Sequence, residues 1–109
     1  MIVNYNEMEE EVLPQFKGGE KEYRAKRFSD GKNIIMSGRL VPGASIGMHT
    51  HETNCEIIFV TAGSGKVLYD GGTERVEAGN CHYCPKGHTH SLMNDGETDL
   101  LFYAVVAEQ

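Results

Sequence analysis

No apolar run in the chain approaches the roughly 20 residues that a membrane-spanning helix needs, so no such span is expected. Basic residues are scarce, 10 Lys and Arg against 16 Asp and Glu, which leaves a formal charge of −6 and a pI near 5.3. That deficit argues against nucleic acid as a partner, because backbone phosphates reward a basic face. It argues equally against an anionic membrane surface. The opening residues, MIVNYNEMEEEV, offer neither a basic stretch nor a long apolar stretch, so no signal peptide is read. The cysteines are few and odd in number: Cys55, Cys81 and Cys84. Free thiols in a reducing cytoplasm are therefore the expectation. Internal repeats, low-complexity tracts and the long helical segments that parallel-strand crossovers require are absent as well.

What is present is one domain's worth of chain: 109 residues, 39% hydrophobic and 24% charged. That composition is too apolar for intrinsic disorder and ordinary for a packed core. Thirteen glycines punctuate short stretches that read as strands: Glu22 to Phe28, Asn33 to Val41, Ser45 to His51, Glu56 to Ala62, Gly65 to Tyr69, Thr73 to Glu77, Asn80 to Cys84, His88 to Met93 and Thr98 to Val106. Many short strands at even spacing predict an all-β sandwich or barrel. The one helix candidate is Glu7 to Leu13, stopped by Pro14, with Glu9-Glu10-Glu11 as a solvated face. Residues 1–20 read as an N-terminal arm, Met1 to Tyr5 being a candidate edge strand that a second subunit pairs with. Gln15 to Glu20 reads as a loose connector to a barrel over residues 21–109.

Four of the five histidines fall in two pairs, His49-Thr50-His51 and His88-Thr89-His90. Side chains two apart on a strand share a face, so His49 and His51 can aim at one point. Glu56 shares parity with Ile58 and Val60, which read as inward. A carboxylate at the head of an apolar strand is costly to bury alone, and a cation beside two imidazoles would offset that cost. His90 can supply a fourth ligand if its strand lies opposite. Three imidazoles and a carboxylate suit one divalent transition metal ion (Fe, Mn, Ni, Zn, Co or Cu) rather than Ca²⁺. Four protein ligands on an octahedral ion leave two positions open.

The spacing of these residues carries a resemblance. Gly43, His49, His51, Glu56 and Gly63 match G-x5-H-x-H-x3–4-E-x6-G, and Gly79, Pro85, Gly87, His90 and Asn94 match G-x5-P-x-G-x2-H-x3-N. These are the two motifs of the cupin superfamily, and the chain resembles a small single-domain, conserved-barrel cupin. The resemblance implies a double-stranded β-helix, or jelly roll, with metal held by His49, His51, Glu56 and His90. It also implies a homodimer, often built by exchange of N-terminal strands. As candidate activities it implies metal-dependent chemistry on a small oxygenated molecule, of dioxygenase, isomerase or lyase type. The alternative is a non-catalytic module that binds a sugar or organic acid.

Other residues are read more plainly. His82 is a neutral imidazole on a half-buried strand, and His88 sits at the barrel rim. Cys81-x-x-Cys84 lies on a strand before Pro85, not at the helix N-terminus that activates a redox pair. Cys55 is structural, and Asn94-Asp95-Gly96 is a turn. The Asn33 strand alternates Met36, Gly38 and Leu40 with Ser37, Arg39 and Val41. An apolar pocket follows if the first set faces in, with Arg39 in solvent as the plainer reading, and an Arg39 clamp for an anion if the second does. On the last strand the family likeness favours Phe102 over the metal.

Overall fold

A computed structural model describes residues 1–109 and shows ten strands in two antiparallel sheets. The six-stranded sheet has the order β1 (Glu11–Pro14), β2 (Glu22–Ser29), β3 (Asn33–Leu40), β10 (Leu100–Glu108), β5 (Asn54–Ala62), β8 (Cys81–Cys84). The four-stranded sheet has the order β4 (His49–Thr50), β9 (Thr89–Met93), β6 (Ser64–Tyr69), β7 (Gly72–Glu77). This is the jelly roll expected from the sequence. Alternation drives it: on β5 Glu56, Ile58 and Val60 point inward, and on β10 Leu100, Phe102 and Ala104 do the same. Those faces meet Tyr23 and Ala25 of β2, Met36 and Leu40 of β3, Val67 of β6 and Leu92 of β9 in one core. Large apolar side chains fully buried in this way contribute about 1.5–3 kcal/mol each.

The face of β3 is settled by packing. Met36, Gly38 and Leu40 face in, and a Cβ at Gly38 would stand 2.4 Å from the Phe102 ring. Arg39 therefore lies outside, paired with Glu10 at 2.6 Å and Asp99 at 3.2 Å. It does not clamp a ligand in the barrel.

One expectation fails at the N-terminus. Glu7 to Leu13 is not a helix: a single 3₁₀ turn covers Tyr5–Glu7, and Glu11–Pro14 is strand β1 on the edge beside β2 of the same chain. Met1 to Tyr5 pairs with no strand of its own chain. A seven-residue helix repays its nucleation poorly, while the extended chain brings carboxylates to cations on the neighbouring strands. Glu10 meets Arg39 and Arg24, and Glu11 meets Arg27 at 2.8 Å.

The connector is not loose either. Phe16–Gly18 form a second 3₁₀ turn, and Gln15, Lys17 and Lys21 all hold left-handed backbone. The segment is pinned to residues 45–47: Gly47 N–H donates to Phe16 C=O at 3.0 Å, Ser45 N–H to Glu20 C=O at 3.0 Å and Glu20 N–H to Ser45 Oγ at 2.8 Å. These bonds also explain why Ser45 to His51 is not one continuous strand, since its backbone is shared between the connector and β9. A Cβ on Gly47 would fall 1.9 Å from Lys17 C=O. Gly47→Ala is expected to push the connector away at a cost of about 1–3 kcal/mol, read as a lower Tm and faster amide exchange at residues 15–20. Unchanged exchange there would contradict the pinning.

Candidate metal centre

The two sheets bring His49, His51, Glu56 and His90 together. His49 and His90 are cross-strand partners on β4 and β9, His51 follows β4, and Glu56 reaches in from β5 of the other sheet. One donor atom from each lies within 4.8 Å of all the others. His90 Nε2 stands 2.9 Å from His51 Nε2, 3.2 Å from His49 Nε2 and 2.9 Å from Glu56 Oε1. Glu56 Oε1 is 3.2 Å from His51 Nε2 and 3.9 Å from His49 Nε2. His51, Glu56 and His90 are buried, at 7%, 7% and 1% exposure.

Hydrogen bonds on the far ring nitrogens decide which way the imidazole lone pairs face. His49 Nδ1 is 2.7 Å from Gly47 C=O, which only accepts, so that nitrogen carries the proton. His51 Nδ1 is 2.6 Å from Asn54 Oδ1. His90 Nδ1 is 3.0 Å from Nε2 of His82, whose own Nδ1 lies 3.4 Å from the Glu74 carboxylate. Neutral His49 and His51 thus turn an unprotonated Nε2 to the centre, beside an anionic oxygen. Four converging lone-pair donors repel unless protons or a cation sit among them.

The distances fit a metal ion. At the ~2.1 Å usual for metal–nitrogen bonds, adjacent corners of an octahedron are about 3.0 Å apart and opposite corners about 4.2 Å, against about 3.4 Å for every tetrahedral edge. Five donor separations of 2.9–3.9 Å fall in the range these coordination geometries span, so the four donors are spaced to hold one ion. Without a cation the protons take that role. Burial alone would raise the Glu56 carboxyl, but hydrogen bonds from His49, His51 and His90 hold it well below the usual range. The bond to Glu56 raises His51 against its own burial, with help from Asn54. Burial and the charge of His90 lower His82, which keeps it neutral.

A cavity of about 480 Å³ opens onto His49, His51 and Glu56. Its walls include Tyr23, Met36, Ile46 and Val106, with Phe16 and Lys17 of the connector at the mouth. Phe102 is not on this wall: it is buried behind, stacked on Tyr23 at 5.8 Å, and Tyr23 and Phe16 are the aromatics that reach the cavity. The Tyr23 hydroxyl donates to Met36 Sδ at 3.0 Å, and burial pushes its pKa up. Neither Tyr23 nor Lys17 stands out in sequence, because β2 carries no motif and the turn holding Lys17 has no local signature. Asn54 and His82 carried a weak signal, a polar residue three after His51 and an imidazole with the inward parity of Cys84.

The remaining residues lie elsewhere. His88 is at the rim, 2.5 Å from Asp70 and stacked on Tyr69, away from the four donors. Cys81 is exposed while Cys84 and Cys55 are buried, all three free, and burial pushes the Cys84 thiol up to about 11, which makes it a poor redox thiol. Asn94 Nδ2 donates to Leu40 and Thr98 C=O and its Oδ1 accepts from Gly96 N–H, a fold-forming role.

A family model described as the cupin domain matches residues 36–106, which hold all four donors. A Thermotoga maritima protein described as oxalate-binding is 32% identical over 113 residues, covering 97% of this chain and 93% of its own. Among solved structures, a Thermotoga maritima protein described as a predicted oxalate decarboxylase superposes with a TM-score of 0.93 at 30% identity over 100% of both chains. A cupin 2 conserved-barrel protein from Salinispora arenicola superposes with a TM-score of 0.70 at 26% identity, over 79% of this chain and 76% of that one.

Proposed function

The chain belongs to the cupin domain family, and we propose that it binds one divalent transition metal through His49, His51, Glu56 and His90 and uses it to capture a small carboxylate. The observation that carries this reading is the opening of three of the four donors onto a cavity whose mouth bears Lys17. Lys17 has no acidic partner within ion-pair distance, whereas Arg27 beside it is bound to Glu11. It also holds a left-handed backbone, φ 57°, where glycine would be less strained. A bound metal would supply Lewis acidity toward a ligand oxygen and, if six-coordinate, two positions for a chelating oxygen pair. Lys17 adds attraction for the anion, and the Tyr23 hydroxyl, kept protonated by burial with its proton given to Met36 Sδ, offers no general base beside the ligand. That last property favours binding over turnover.

Oxalate is the first ligand to test, given the description of the Thermotoga maritima relative. The cavity, about 480 Å³ with Ile34, Met36, Ile46 and Val106 on part of its wall, has room for carboxylates with a larger apolar body. Calorimetric titration of Mn(II)-loaded protein with oxalate is expected to show binding that disappears without metal. Lys17→Met is expected to weaken it by a factor of about 5, since an exposed charge pair contributes about 1 kcal/mol. Oxalate binding that ignores the metal would overturn the reading. The dioxygenase, isomerase or lyase alternative uses the same site, and oxygen uptake or product formation during that titration would favour it.

The homodimer belongs to the same proposal. Phe59 of β5, Tyr83 of β8 and Leu101 and Tyr103 of β10 are all exposed on the outer face of the six-stranded sheet, an apolar surface that self-association would cover. Light scattering is expected to give twice the 12.1 kDa chain mass, and a monomer would contradict it. A cytoplasmic setting is supported by the three free thiols. No helix is long and apolar enough to cross a membrane.

A further inference from the structure

On the side of His90 away from the ligand cavity, a line of polar side chains runs from buried His82 out to exposed Glu74. His82 of β8, 3% exposed at its side chain, stacks on His90 with ring centroids 5.2 Å apart and planes at 26°. Its Nε2 is 3.0 Å from His90 Nδ1. Its Nδ1 is 3.4 Å from the carboxylate of Glu74 on β7, whose side chain is 56% exposed. Tyr69 walls the pair with its ring edge-on to His82 at 5.3 Å. The line begins at a second cavity, lined by Tyr69, Glu74, Arg75, Asn80 and His82, that shares no residue with the first.

The order of protons along this line has two settings. If His82 carries its proton on Nδ1, toward Glu74, then its Nε2 accepts and His90 must donate from Nδ1. His90 Nε2 then shows a lone pair to the centre. If His82 carries its proton on Nε2, His90 Nδ1 must accept, and a neutral His90 then presents N–H to His51 and His49 at 2.9 and 3.2 Å. Only the first setting makes His90 a metal donor, and the Glu74 carboxylate, 3.4 Å from His82 Nδ1, favours it by charge. An imidazole whose second nitrogen is engaged in this way is also fixed in orientation and made more basic.

We propose that His82, braced by Glu74, is a positioning residue for His90: it fixes the tautomer and ring orientation that turn His90 Nε2 toward the metal. The inference rests on the metal reading above and adds to it a residue pair outside the four donors. His82→Leu keeps apolar volume and removes the acceptor. His82→Gln places an amide oxygen near the position of Nε2 and restores it.

Chelator-competition titration with Co(II) is expected to show His82→Leu binding about 10–100-fold more weakly than the wild type, with a changed visible spectrum. His82→Gln is expected to recover most of the affinity, and Glu74→Gln to lose less than His82→Leu. Wild-type affinity and spectrum in a folded His82→Leu would overturn the proposal. Should that variant fail to fold, long-range ¹H–¹⁵N spectra of the wild type loaded with Zn(II) carry the test. A proton on His90 Nδ1 and none on His82 Nε2 support the proposal, and a proton on His82 Nε2 overturns it. Failure of the wild type to bind either ion would overturn the metal reading and the proposal with it, an outcome visible in the wild-type arm alone.

Discussion

Glu56→Gln is expected to purify almost free of transition metal, with affinity lowered more than about 100-fold, beyond the range typical for loss of an outer hydrogen-bond partner. Glu56 Oε1 is the only anionic donor among the four and lies 2.9 Å from His90 Nε2 and 3.2 Å from His51 Nε2. The amide removes the charge that offsets a divalent cation in a buried place. The substitution is nearly isosteric, and the three imidazoles can remain neutral beside an amide. The metal-free variant is therefore expected to fold with a Tm within a few degrees of the metal-free wild type. The contrast matters: loss of metal without loss of fold assigns Glu56 to the ion, whereas wild-type metal content in Glu56→Gln would remove it from the ligand set.

Stripping metal from the wild type is expected to produce the second large effect. At free metal 1,000 times the dissociation constant, binding stabilises the folded chain by about 4 kcal/mol, roughly 15–25 °C in Tm for a domain of this size. The sign of its pH dependence follows from the site. The folded Glu56 carboxyl lies below its ordinary 4.5, so its contribution to the metal-free protein is complete above pH 4.5 and lost as pH falls through the folded value. The folded His51 lies above its ordinary 6.5, so its contribution is complete below pH 6.5 and lost as pH rises through the folded value. With respect to these two groups the metal-free protein is most stable between about pH 4.5 and 6.5. Metal needs the imidazoles unprotonated, so its stabilisation grows with pH. The Tm difference between metal-loaded and chelator-treated protein is expected to be small at pH 5 and largest near pH 8. A difference that does not change over that range would contradict the account.

The barrel was legible because its strands alternate. Ile58 and Val60 announce the inner face of β5, and the same parity places Glu56 beside them. His49 and His51 share a face, and the second motif sets His90 opposite, so the convergence of four donors could be read without coordinates. What could not be read depends on partners far along the chain. Glu9-Glu10-Glu11 reads locally as the polar face of a helix, yet Glu10 is placed by Arg39, 29 positions later, which favours the extended form. Arg39 is drawn outward by Glu10 and Asp99 and kept outside by the fit of the Phe102 ring over Gly38. Phe102 has the correct parity for the cavity, but parity gives a face and not a depth, and Tyr23 fills the nearer position. His82 was legible as a buried neutral imidazole; that it stacks on His90 depends on β8 and β9 lying in different sheets. The connector at residues 15–20 looked loose because glycines suggest freedom. Gly19 and Gly47 serve instead to let two backbones touch.

The central claim is that a single ion is held by three ring nitrogens and one carboxylate oxygen. Anomalous diffraction from crystals of metal-loaded protein, recorded on both sides of the absorption edge, tests it most directly. One peak is predicted, about 2.0–2.2 Å from Nε2 of His49, His51 and His90 and from Oε1 of Glu56. No peak inside the barrel, or a peak bound by other residues, would contradict the account.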